Sequence, residues 1–93
     1  MNKIIRVIIS GRVQGVGFRA WTVATASDFG LRGWVRNRGD GMVEAVFSGE
    51  EAHIAVMLEA CRKGPTTARV DKVESFDWNE VVDESPFRAM PTI

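Results

Sequence analysis

Apolar residues alternate with polar ones along several stretches of the chain and recur at helical spacing along two others. Ile5, Val7 and Ile9 share one face of an extended run, with Ile4, Arg6 and Ile8 on the other. The predominance of β-branched residues there predicts a strand over residues 3–10. Phe18, Thr22, Ala26 and Phe29 fall along one side of a helix over residues 19–29, with Gly30 as its stop. Trp21 lies off that stripe and is expected to be partly exposed over the preceding loop or the sheet edge. Leu31–Asn37 and Gly41–Phe47 flank Arg38-Gly39-Asp40-Gly41, a hairpin signature in which Asp-Gly supplies the tight turn. Ser48-Gly49-Glu50-Glu51 has the form of a capping box with Ser48 as cap. A second helix to about Lys63 then carries Ile54, Met57, Leu58 and Cys61 on one face, and Gly64-Pro65 closes it. Residues 68–77 return to extended structure with Val70, Val73 and Phe76 as core contacts, and the parity break between the two valines predicts a bulge. Trp78–Pro86 forms an acidic loop, and Phe87–Met90 adds a short final strand.

The order β-α-β-β-α-β with one appended strand lets both helices bury their stripes on one face of an antiparallel sheet. That is a ferredoxin-like two-layer α+β sandwich. At 93 residues, the expectation is a single domain spanning residues 1–93. Such a fold leaves the function open.

Composition narrows the class. Hydrophobic residues at 45% and charged ones at 26% describe an ordinary globular chain, and the one apolar run near the start is short and interrupted by Arg6. A cytoplasmic protein with no membrane association is the expectation. The single cysteine, Cys61, cannot form an internal disulfide, in keeping with a reducing compartment. The net charge is zero but unevenly spread: residues 1–39 hold seven Lys/Arg against one acid, Asp28. The basic half also contains the most distinctive stretch of the chain, which points to an anionic substrate.

That stretch is Gly11–Arg19, Gly-Arg-Val-Gln-Gly-Val-Gly-Phe-Arg, lying between the first strand and the first helix. Glycines permit backbone angles at which successive N–H groups turn toward one point, and the positive end of the following helix reinforces such a nest. Arg12 and Arg19 bracket the loop, and a guanidinium fork matches two phosphate oxygens. A small phosphoryl group is the indicated ligand. The same composition also fits a connector that merely turns a corner. The spacing G-x-x-x-G-x-G lacks the Gly-Lys-Ser/Thr ending of a nucleotide loop and differs from G-x-G-x-x-G, so a nucleotide is disfavoured.

Taken together, Gly11–Arg19, then Gly30-Leu31-Arg32-Gly33-Trp34-Val35-Arg36-Asn37, then Asp40-Gly41-Met42-Val43-Glu44 resemble the acylphosphatase family. Lys63-Gly64-Pro65 with Ala68-Arg69-Val70 extends the resemblance, which covers roughly residues 3–77. It implies the ferredoxin-like sandwich and hydrolysis of the carboxylic–phosphoric anhydride of small acyl phosphates, without metal or cofactor. It assigns phosphate binding to Arg19 and to the backbone N–H groups of about Gln14, Gly15, Val16, Gly17 and Phe18. It makes Arg19 and Asn37 the catalytic residues, with Asn37 positioning the attacking water. Gly17 stands where members of the family vary and is expected to loosen the loop while leaving its N–H groups available.

Other polar residues receive plainer readings. His53 lacks ligand spacing and belongs on a helix surface. Cys61 belongs in the core, and the acids of residues 71–84 form a solvated rim with no metal-loop spacing. Ser10 and Thr22 have no His partner other than His53, which argues against a serine-type triad. One alternative is an accessory domain of the kind found in larger hydrogenase-maturation proteins, but no zinc-type cysteine pairs accompany it. Another is an RNA-binding module, which needs stacking aromatics on the central strands. Met42–Phe47 offers only Phe47, on the inward face, so no nucleic-acid partner is expected, and the chain is read as a monomer acting on a small molecule.

Overall fold

The computed structural model describes all 93 residues. Strand β1 (Asn2–Arg12) is followed by helix α1 (Phe18–Asp28), strands β2 (Arg32–Asn37) and β3 (Val43–Glu50), helix α2 (Glu51–Lys63), and strands β4 (Arg69–Asp77) and β5 (Arg88–Ala89). The sheet order is β4-β1-β3-β2-β5. The first four strands pair antiparallel, as expected, but β5 runs parallel to β2, with Trp34 opposite Arg88 and Val35 opposite Ala89. The sheet is therefore mixed, which corrects the expectation of a wholly antiparallel one. The cause is topological: β4 occupies one edge and β5 the other, and a strand returning opposite in direction to β4 necessarily runs with β2. Phe87 anchors that return, 4% exposed and stacked on Phe47 with ring centroids 5.5 Å apart.

Burial of one face of the sheet against the helices builds the core. Ile5, Val7 and Ile9 of β1, Val35 of β2, and Val43, Ala45 and Phe47 of β3 meet Phe18 and Ala26 of α1 and Ile54, Met57 and Cys61 of α2. Thr22 is fully buried in the same stripe because its hydroxyl donates to the Phe18 carbonyl at 2.8 Å. Helix α1 ends as its sequence indicates, with the N–H of Gly30 bonded to Ser27 O at 3.0 Å and that of Leu31 to Ala26 O at 2.9 Å.

Three local readings change. The β2–β3 turn centres on Gly39-Asp40, closed by Gly41 N–H to Arg38 O at 3.1 Å, and the Asp40 carboxylate accepts from the Met42 N–H at 3.0 Å. The Asp-Gly pair is thus not the central pair. No capping box forms: Ser48 stays in β3 opposite Ile4 and Arg32, and α2 begins at Glu51, whose N–H bonds to the Met1 carbonyl at 2.9 Å. Ser48 is instead a paired residue of a central strand, with a neighbouring strand on either side. In β4 the expected bulge falls at Asp71, between the pairs Ser10–Lys72 and Gly11–Val70. It keeps both valines packed on the core, but Phe76 lands on the opposite face, 45% exposed, with the Arg6 guanidinium 5.6 Å from its ring centre.

That opposite face carries an ionic cluster. Glu44, with 5% of its side chain exposed, accepts from Arg6 at 2.6 Å and Arg36 at 2.8 Å. Burial pushes the Glu44 carboxyl up, but hydrogen bonds from Arg6 and Arg36 and their charges outweigh it, holding the group below the usual carboxylate range. A depressed native pKa adds stability above the unfolded pKa, and that stability is lost as pH falls through the native value. Glu44→Gln should therefore unfold with about 2 kcal/mol less stability at neutral pH. Urea titrations at successively lower pH should show the two proteins converging in acid, whereas a constant gap would show that the charge is not the stabilising element.

Candidate active site

The loop after β1 and the end of β2 meet at one end of the sheet. Val13 is buried beneath the loop, and the next residues climb over it to Gly17, which caps α1 with φ 80 and ψ 17. An L side chain at those angles costs roughly 1–2 kcal/mol, so glycine is what lets the chain enter the helix here. Gly17 thus defines the helix start, a tighter role than the loosening expected of it.

No side chain caps α1. Its first intramolecular donor is Trp21, whose N–H bonds to Gly17 O at 3.0 Å; no N–H from Gln14 to Ala20 finds an acceptor within the protein. A run of free amides at the positive end of a helix has the donors and the field that suit an anion.

A cleft of about 320 Å³ opens on these amides, lined by Val13, Gly15, Gly17, Phe18, Arg19, Ala20, Asn37 and Ala89. Arg19 is the second residue of α1, half-buried, and forms no ion pair. By contrast Arg6 and Arg36 are committed to Glu44, and Arg38 to Asp40 at 2.7 Å. Part of the excess positive charge of the first 39 residues is therefore tied up in ion pairs, and in the cleft it is represented by this one guanidinium.

Asn37 ends β2, opposite Val43, and its main-chain carbonyl accepts from the Ile93 N–H at 3.2 Å. Its side-chain Oδ1 is buried and bonded to nothing else in the protein, the one buried side-chain polar atom so placed. Burying an acceptor without a partner is unfavourable by about 1–3 kcal/mol, and such atoms mark positions where a further molecule completes the bonding.

Among the residues anticipated from sequence, Gly15, Gly17, Phe18, Arg19 and Asn37 line this cleft. Gln14 and Val16 are not among its lining residues, although their N–H groups, for which they were anticipated, are as free as the rest of the run; the Gln14 side chain bonds the β2–β3 turn, and the Val16 carbonyl accepts from the Thr67 hydroxyl at 2.6 Å. Arg12 is exposed at the end of β1 beside Arg69 and also stays outside. Ala89 was missed because only the position of β5 beside β2 brings it here. Trp21 is half-buried with its ring 5.3 Å from that of Phe18, bracing the first turn of α1. His53 is exposed on α2, and burial pushes the Cys61 thiol up to about 12, leaving it neutral and unreactive. A larger groove of about 440 Å³ runs over Ile5, Ile54 and Leu58, and no residue of the loop reaches it.

The family model described as Acylphosphatase matches residues 5–89. A Rhodospirillum rubrum protein named acylphosphatase is 62% identical over 69 residues, 74% of this chain and 76% of its own. The structure of an acylphosphatase from Coxiella burnetii superposes with a TM-score of 0.88 at 39% identity, covering 96% of this chain and 93% of that one. A full-length HypF crystallised in a phosphate- and nucleotide-bound form matches 99% of this chain with 12% of its own, at 26% identity and a TM-score of 0.86. No helix is long and apolar enough to cross a membrane.

Proposed function

The chain belongs to the acylphosphatase family, and on that premise we propose that it hydrolyses small acyl phosphates to carboxylate and inorganic phosphate by the following division of labour. The phosphoryl oxygens bind the free N–H groups of the loop and the fork of Arg19. The Asn37 carboxamide accepts a hydrogen bond from water through Oδ1 and holds it in line with the phosphorus. The water oxygen bonds to phosphorus as the bond to the carboxyl oxygen breaks. One water proton stays on the attacking oxygen and the other passes to a phosphoryl oxygen, so a dianionic substrate yields carboxylate and dihydrogen phosphate. Asparagine cannot take the proton itself. Because the carboxylate leaves readily, catalysis reduces to positioning and charge stabilisation, for which amides, one arginine and one carboxamide suffice without a metal.

The observation that carries this reading is the meeting on one cleft of the uncapped start of α1, the unpaired Arg19 and Asn37, whose buried side-chain oxygen has no partner in the protein. The test is phosphate release from benzoyl phosphate with and without a strong chelator. Equal rates are expected. Loss of activity in chelator, restored by a divalent cation, would overturn the metal-free mechanism, and no release under either condition would overturn the substrate class.

A further inference from the structure

We infer that Gln14 is a positioning residue that sets the spacing between the phosphate loop and the Asn37 carboxamide, an inference that rests on the roles proposed above for Arg19 and Asn37. Its Nε2 donates to the main-chain carbonyls of Arg38 at 2.8 Å and Met42 at 2.9 Å. Those two carbonyls belong to the turn that begins immediately after Asn37. Both are also fixed from within the turn: Met42 O accepts from the Arg38 N–H at 2.9 Å, and Arg38 O from the Gly41 N–H at 3.1 Å. The acceptors are therefore parts of a closed hairpin end rather than of a mobile loop.

Both N–H bonds of one carboxamide thus engage one rigid turn. A single bond would leave a hinge, but two bonds from a planar group fix its direction as well as its distance. Gln14 sits one residue before Gly15, where the cleft lining begins. No other hydrogen bond joins the loop to this turn; the loop's remaining tie, from Thr67 to Val16, goes to the connection between α2 and β4. The phosphate cradle and the water-positioning side chain lie on separate elements, and Gln14 spans them. In-line displacement tolerates little error, since a misplacement of about 1 Å can cost roughly 100-fold in rate.

The test uses Gln14→Met, which keeps length and loses both donors, alone and combined with Asn37→Ala. With an acyl phosphate as substrate, kcat of Gln14→Met should fall roughly 10- to 100-fold. Competitive inhibition by inorganic phosphate, which reports the cradle alone, should change less than about threefold. In the Asn37→Ala background the same change should cost less than about threefold more, because the group it positions is gone. Unchanged kcat, phosphate affinity falling in step with kcat, or losses that multiply in the double variant would each overturn the inference. Failure of the underlying site reading shows differently, as an Asn37→Ala protein with full activity. Should thermal unfolding show that Gln14→Met does not fold, Gln14→Glu supplies the reading. A protonated carboxyl can donate one of the two bonds and a carboxylate neither, so its kcat relative to the parent protein should decline as pH rises through the carboxyl titration. A ratio independent of pH would overturn the inference.

Discussion

Arg19→Ala is expected to lose acyl phosphate turnover by about 10³-fold, equivalent to about 4 kcal/mol of transition-state binding, and to lose inhibition by inorganic phosphate with it. On the proposed mechanism the two losses go together because the guanidinium is the cation lining the cleft, and it would bind the phosphoryl charge in substrate and product and bind it more strongly on the equatorial oxygens of the transition state. Its neighbours cannot take over, since Arg6, Arg36 and Arg38 are held by Glu44 and Asp40. Arg19→Lys keeps the charge but not the planar fork, so it should recover part of the phosphate affinity and little of the turnover. Steady-state kinetics on both variants, with phosphate as inhibitor, measure this directly. An alanine variant that still binds phosphate normally would place the anion site elsewhere.

The way these residues assemble was partly legible in the chain itself. The strand before the loop shows its parity in Ile5, Val7 and Ile9, all of which reach the core. The helix expected over residues 19–29 runs from Phe18 to Asp28, but that the positive φ of Gly17 sets its start was not anticipated. Asn37 was identifiable through the motif around it, although a lone asparagine before a turn reads as a turn former. Features that depend on distant partners were not legible. The direction of β5 follows from which edge it joins, whereas the outward side of Phe76 was already implied by its odd spacing from the inward Val73. Ser48 matched a local capping rule that two neighbouring strands override. Gln14 was anticipated for its backbone N–H, and its side chain was invisible because its acceptors are main-chain carbonyls 24 and 28 residues away, which carry no side-chain signature.

The division of labour between holding the phosphoryl group and aiming the water is tested most directly by Asn37→Ala, with kcat and the inhibition constant of inorganic phosphate measured on one preparation. The parent Oδ1 is buried and bonded to no protein group, so on the proposed mechanism truncation removes the hydrogen bond that aims the water, with no protein bond broken and the loop amides and Arg19 left in place. Loss of one positioned catalytic group costs roughly 10²-fold or more in turnover. The expected result is that fall in kcat with phosphate inhibition changed by less than about threefold. A variant that turns over near the parent rate, or one whose phosphate affinity falls in proportion to its kcat, would contradict it.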